Sequence, residues 1–317
     1  MYADRKVAQE KKYLYGPVPS RRLGLSLGVD IVPFKVCTLD CIYCQLGGTT
    51  QKTTERAEYV PAEAVLAELE ERLYKGLKAD FITMSGSGEP TLNLRLGDII
   101  DGIKKITDIP VAILTNGTLL YRGDVRADCA KADVVLPSLD AGDKGAFEQI
   151  NRPHKDIFIE NLISGLCDFR NEFAGQIWLE VFLVEGLNTD AGQIAKIKEA
   201  IEQIRPDKVQ LNTAVRPTAE TGVKRLNPEK LQAVAEQLGD KAEVVADFSP
   251  GCCGKHIEST AEDVLSMLKR RPCSLNDICS ALGIHSNEAL KYVTHFQQQG
   301  VVNSSEKDGI VFFKALS

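Results

Sequence analysis

The sequence predicts an α/β fold: a partial (β/α)6 TIM-type barrel with a small C-terminal winged helix-turn-helix domain. Three observations carry this expectation. Short apolar runs alternate with amphipathic segments of helical period through most of the chain. Polar and glycine-rich stretches follow the apolar runs, at the strand ends where parallel sheets carry their chemistry. Residues 255–317 then change rhythm, to three capped helical segments and a hairpin pattern.

Taken in order, a strand over 26–32 leads into a cysteine-rich loop. Pro61 suits the first turn of a helix over 61–77, in which Val65, Leu66, Leu69, Leu73 and Leu77 recur at helical spacing. A buried strand over 81–84 runs into Gly86 and Gly88. A helix over 96–106 precedes a strand over 111–114, which stops at the turn pair Asn116-Gly117. A strand over 134–136, a helix over 157–169, a strand over 177–184, a helix over 191–204 and a strand over 209–211 complete the series. A full eight-unit barrel takes about 250 residues. This series is shorter, so an open, partial barrel fits it better. A helix over 228–238 and a strand over 243–248 follow. The punctuated loop Ser249-Pro250-Gly251-Cys252-Cys253-Gly254 then marks a boundary between domains 1–254 and 255–317. In the second domain Thr260, Ser274 and Ser286 are the expected N-caps, and Gly283 and Gly300 the helix ends. Asp308-Gly309 turns the hairpin.

Of the 317 residues, 44% are hydrophobic and 26% charged, enough to bury a core without disulfides. A net charge of -6 counts against a protein that coats nucleic acid. No apolar run approaches the ~20 residues of a membrane span, and residues 1–12 lack the apolar region of a secretory signal. A cytoplasmic protein is the expectation. Nine cysteines in a reducing compartment point to metal or redox use rather than a disulfide framework.

Cys37, Cys41 and Cys44 crowd one loop. Soft thiolates favour iron–sulfur clusters or zinc. A closed zinc site wants four ligands, and no fourth lies nearby, the first histidine being His154. Three ligands therefore suggest a [4Fe-4S] cluster with one iron left open, with zinc as the alternative.

The run Cys37-Thr38-Leu39-Asp40-Cys41-Ile42-Tyr43-Cys44 resembles the CxxxCxxC signature of radical S-adenosylmethionine (SAM) enzymes, including the aromatic Tyr43 before the last cysteine. The resemblance spans residues 15–217. It implies that the segment Gly86, Ser87, Gly88 and Glu89 receives SAM's ammonium group. It implies that Ser138 and Asp140 meet the ribose, and that Asn116 also lies at the SAM site. Arg152 would pair with the SAM carboxylate, and Val184, Leu211 and Asn212 would lie at the adenine. The implied chemistry is reductive cleavage of SAM at the cluster to a 5′-deoxyadenosyl radical. An electron donor such as flavodoxin or ferredoxin would serve it, on an unidentified RNA, peptide or small metabolite.

Two further stretches, 15–24 and 44–47, resemble the wyosine-synthase-like iron–sulfur oxidoreductases. Adjacent Arg21 and Arg22 are suited to a carboxylate or phosphate. Wyosine synthases carry additional N-terminal cysteines, whereas none precedes Cys37, so a reaction type is implied rather than the wyosine reaction. Cys252, Cys253 and His256 form a candidate redox pair or partial ligand set. A winged helix commonly reads DNA through its third helix. Residues 255–317 hold seven Lys/Arg and seven Asp/Glu, and a neutral module is a poor DNA binder. Docking of a substrate or partner, or a lid over the barrel, is the favoured role. The competing functional class is a SAM- or redox-sensing transcriptional regulator that binds DNA through this domain.

Overall fold

The computed structural model describes residues 12–246 and 261–316. The chain opens with an antiparallel pair, β1 (Leu14–Ser20) and β2 (Gly24–Val29). A short parallel pair, β3 (Val36–Cys37) and β4 (Gln51–Lys52), brackets the cysteine loop. Then follow α1 (Ala62–Tyr74), β5 (Phe81–Met84), α2 (Leu96–Ile106), β6 (Val111–Thr115), α3 (Gly123–Cys129), β7 (Val134–Pro137) and α4 (Lys144–Ile150). The series ends with α5 (Ile159–Glu172), β8 (Gln176–Leu183), α6 (Ala191–Ile204), β9 (Lys208–Thr213), α7 (Pro228–Leu238) and β10 (Ala242–Val244).

The large sheet runs in the order β1-β2-β5-β6-β7-β8-β9-β10. The six strands expected from the sequence are β2 and β5 through β9, all parallel. Their apolar residues are buried because helices cover one face and the barrel interior the other. Ile82, Met84, Val111, Ala112 and Ile113 have no exposed surface. The covering helices turn in continuous stripes, such as Ile99, Ile100 and Ile103 of α2. At α7 the Asn227 side chain accepts from the Lys230 N–H and Pro228 fills the first position, a start legible in sequence.

Besides the two-residue strands β3, β4 and β11 (Cys273–Ser274), three longer elements were not expected. β1 carries Pro17 and Pro19, which break a strand pattern and are tolerated because β1 lies on the sheet edge. The helices α3 and α4 have seven residues each, too short for a helical period to register.

The C-terminal unit contains α8 (Ala261–Arg270), β11 (Cys273–Ser274), α9 (Leu275–Leu282), α10 (Ser286–Gln298), β12 (Val302–Lys307) and β13 (Ile310–Ala315). Its sheet runs β11-β13-β12, and Val264, Leu268, Cys273, Ile278, Ala289 and Val293 form a separate core. Ser274 caps α9 in a reciprocal capping box, and Gly283 ends it in the left-handed region. His285, not Ser286, caps α10: its Nδ1 accepts from the Asn287 N–H at 3.2 Å. The expected cap Thr260 and the 254/255 boundary lie outside the described residues.

The helices α8 and α9 pack on β1, covering an edge that would otherwise stand open. Arg270 stacks on the Tyr15 ring at 3.6 Å and faces Asp30 at 3.6 Å. Arg216 pairs with Asp277 at 2.8 Å across the same seam. No helix among the described residues is long and apolar enough to cross a membrane.

Candidate active site at the cysteine loop

Cys37 closes β3, and Cys41 and Cys44 sit in the turn beyond it, where the Cys44 N–H donates to the Cys41 carbonyl at 3.1 Å. Each sulfur meets an N–H donor from a different segment. Lys35 Nζ lies 3.0 Å from Cys44 Sγ, Asn116 Nδ2 3.5 Å from Cys37 Sγ, and Asn151 Nδ2 3.3 Å from Cys41 Sγ. Burial pushes the Cys37 thiol up to about 12 and raises that of Cys41 as well. Thiols this deep stay protonated unless a metal takes the proton's place. N–H donors aimed at sulfur stabilise the metal-bound thiolate and tune its cluster.

The donor set fits a cluster better than a single ion. Among the described residues no three His, Cys, Asp or Glu side chains converge as one metal ion requires. In a [4Fe-4S] cluster each thiolate takes a different iron, so spread sulfurs with separate donors are what such a group needs.

Two buried carboxylates hold this loop. Asp140 accepts from the Tyr43 hydroxyl, from Asn151 Nδ2 at 2.7 Å and from the Phe182 N–H at 2.9 Å. Burial outweighs these donors and pushes its pKa up to about 6. Tyr43 stacks on Phe182 with ring centres 3.9 Å apart. The Asp40 and Ile42 N–H groups donate to the carbonyls of Asn151 and Ile150 at the end of α4. Glu89 accepts from Thr91 N and Oγ1, from Thr115 Oγ1 and from the Asn116 N–H, at 2.6–3.1 Å. Gly88 permits the loop to close: a Cβ there would stand 2.1 Å from the Val36 carbonyl oxygen.

The loop opens onto a cleft of about 760 Å³. The barrel lines it with Arg21, Arg22, Cys41, Tyr43, Cys44, Gly86, Glu180 and Asn212, and the C-terminal unit with Arg270, Arg271, Ser274, Asn276 and Asp277. Arg22 meets Glu180 at 2.7 Å, and Asn212 Nδ2 donates to the same carboxylate at 2.9 Å. Burial works to raise Glu180, but Arg22, Asn212 and Arg21 hold it below the usual carboxylate range.

The structure brings Tyr43, Gly86, Asn212, Arg21 and Arg22 to the cleft beside Cys41 and Cys44, and sets the other expected residues in different surroundings. Both Glu89 oxygens accept bonds inside the fold, three donors at Oε1 and one at Oε2. Asp140 is buried and accepts three donors from within the fold. Ser87 donates to Asp30 through both N–H and Oγ, and so shapes the loop. Asn116 turns to Thr38 and Cys37. Ser138 bridges to Glu180 through its backbone. Leu211 lies in the barrel core, and Val184 in the small apolar cluster under Tyr43. Arg152 pairs with Glu220 at 2.8 Å and lines a separate surface hollow with Lys52 and His154. Cys252, Cys253 and His256 lie outside the described residues.

Sequence reasoning missed Lys35, Thr38 and Asn151 around the sulfurs, and Arg216, Arg270 and Arg271 in the cleft. A left-handed backbone (φ 59°) and deep burial mark Lys35 as special, and neither shows in a sequence. The arginines are legible only once the second unit is seated on β1.

The model of the radical SAM superfamily matches residues 31–196. The UPF0026 protein MJ1312 of Methanocaldococcus jannaschii is 33% identical over 308 residues, 94% of each chain. A protein of Brachyspira hyodysenteriae named GTPase Obg is 37% identical over 305 residues, 95% of this chain. The chain spans only 45% of that relative's length. Among solved structures, TYW1 with a lysine-pyruvate adduct bound matches at a TM-score of 0.53 and 20% identity, over 71% of this chain and 75% of that one. A radical SAM methyltransferase from Sphaerobacter thermophilus matches at 0.51 and 18% identity, over 71% and 67%. At those identities the likeness is one of fold.

Proposed function

Because the chain belongs to the radical SAM superfamily, we propose that it is an enzyme in which Cys37, Cys41 and Cys44 hold a [4Fe-4S] cluster at the wall of the substrate cleft. The superfamily's cofactors, SAM and a [4Fe-4S] cluster, are this chain's cofactors. When bound and reduced they supply a 5′-deoxyadenosyl radical that takes a hydrogen atom from the substrate. One observation supports the assignment of residues: three cysteines of one loop, each sulfur with its own N–H donor, two of them lining a cleft large enough for a cofactor and a small molecule.

The chain's own residues then have distinct tasks. Lys35, Asn116 and Asn151 would donate to the sulfurs once a cluster is bound and stabilise its thiolate ligands. Asp140, through Tyr43 and Asn151, fixes the loop against β8. Tyr43, Gly86 and Asn212 are the proposed SAM contacts, since they line the cleft. Residues 1–254 form the barrel domain and 255–317 a winged helix-turn-helix. Three helices with a β12–β13 wing support that reading. This second domain roofs the cleft, which excludes water from a reactive intermediate. Cys252, Cys253 and His256 fall in the segment that joins the two. A flavodoxin- or ferredoxin-type donor and a cytoplasmic setting complete the proposal.

The test is anaerobic reconstitution of the full chain with iron and sulfide, then SAM and dithionite. The expected product is 5′-deoxyadenosine, lost in Cys37→Ser and kept in Cys167→Ser. Reconstituted wild type that forms none would overturn the proposal.

A further inference from the structure

Six arginines line the cleft, and their partners are unequally shared. Arg22 pairs with Glu180, Arg216 with Asp277, Arg225 with Asp308 at 3.2 Å, and Arg270 faces Asp30. Arg21 and Arg271 form no close ion pair among the described residues and reach Glu180 and Asp277 only at longer range, each carboxylate being already paired with another arginine. Arg21 is open to water within the cleft yet enclosed by its walls. Lost hydration there, with repulsion from Arg216, Arg271 and Arg22, lowers its pKa to about 10. The Nε atoms of Arg216 and Arg270 are buried without a hydrogen-bond partner among the described residues. The cleft thus holds two guanidinium charges and two further N–H donors beyond what its own walls satisfy. The cysteines do not account for them. Lys35 already contacts Cys44 Sγ, and Lys314 of β13 also acts on Cys44.

We propose, on the footing that this cleft is the substrate chamber of the enzyme inferred above, that it takes a small phosphorylated substrate, its phosphate held between Arg21 of the barrel and Arg271 of the C-terminal unit. A phosphate dianion matches the two surplus charges, and arginine forks bind phosphate oxygens in pairs. The first turn of α9 faces the same space through Ser274 and Asn276, and a helix start favours anions. Its Asp277 closes the capping box with Ser274 through one carboxylate oxygen and is neutralised by Arg216 through the other. The volume suits a small molecule, and the balanced charge of residues 255–317 offers no track for a nucleic-acid backbone. The C-terminal unit is on this account half of the substrate site, so neither unit binds the substrate alone.

The experiment is calorimetric titration of the full chain with ribose 5-phosphate, inorganic phosphate, succinate, ribose and bulk transfer RNA. Saturable binding of ribose 5-phosphate and phosphate, absent with ribose, is expected. Arg21→Gln and Arg271→Gln should each weaken it by about tenfold or more, with melting temperatures showing that both fold. Lys104→Gln, on a surface pair with Asp133, should bind as wild type. Binding undiminished in both variants, tighter binding of succinate, or tight salt-sensitive binding of RNA that both variants abolish would overturn the proposal. Titration does not depend on SAM cleavage. Loss of cleavage with phosphate binding kept would count against the enzyme reading alone, and the converse against the phosphate site alone.

Discussion

The two walls of the cleft follow opposite rules. On the cysteine side, buried polar groups are almost fully partnered: Glu89 takes four donors and Asp140 three, and of this network only Asn151 Oδ1 stays unpartnered. Under the C-terminal unit, guanidinium groups outnumber the carboxylates that line the cleft, and two buried Nε atoms have no acceptor among the described residues. A satisfied network is rigid, because any movement strands a buried group. An unsatisfied one is stable only with water or a ligand to complete it. The first wall therefore sets geometry, and the second awaits an occupant.

That contrast can be broken by substitution. The largest effect belongs to Cys41→Ser, which should abolish bound iron and the visible charge-transfer absorbance of reconstituted protein. Retention of full iron would remove Cys41 as a ligand. Asp140→Ala strands the Tyr43 hydroxyl, the Asn151 amide and the Phe182 N–H. It should cost about 3 kcal/mol, read by denaturant unfolding, and lower iron retention with it. Gly88→Ala forces a Cβ into the Val36 carbonyl beside Cys37. About 1–3 kcal/mol and partial loss of iron are expected, with a neutral result showing that the loop can give way.

The seam between the units should respond to acid. Burial opposes ionisation of Asp277, yet Arg216 and the Ser274 N–H hold its carboxyl below the usual value. A depressed folded pKa stabilises above the unfolded value and loses that contribution as pH falls through the folded one. Melting of the full chain should therefore lose an increment below about pH 4, and that increment should be absent in Asp277→Asn. An identical acid profile for both would show that the pair contributes nothing. The smallest effect is on the other wall: Arg21→Gln should leave the melting temperature undiminished, since the desolvation and arginine repulsion it relieves outweigh its longer-range attraction to Glu180. A marked fall would show that Arg21 is structural and erase the difference between the walls.

Which parts of this were legible in sequence follows from the range of the signals. The strands β5 through β9 were legible because runs such as Val111–Thr115 are apolar on both faces. The cysteine loop was legible because its spacing is local. Glu89 and Asp140 stood out, but their roles did not: Thr115, Asn116, Asn151 and Phe182 reach them only through the barrel's crossovers. Arg21 and Arg22 were visible as an adjacent pair, yet only the fold separates Arg22, which is paired, from Arg21, which is not. Arg271 carried no signal, since its relevance depends on α8 docking against β1.

The central claim is that this cysteine loop carries a cluster with an iron open to SAM. Electron paramagnetic resonance of the reduced, reconstituted full chain, recorded before and after SAM is added, tests it most directly. A cluster signal whose g values shift on addition of SAM, absent in Cys37→Ser, is predicted. A cluster signal indifferent to SAM, or no cluster signal from iron-loaded wild type, would contradict it.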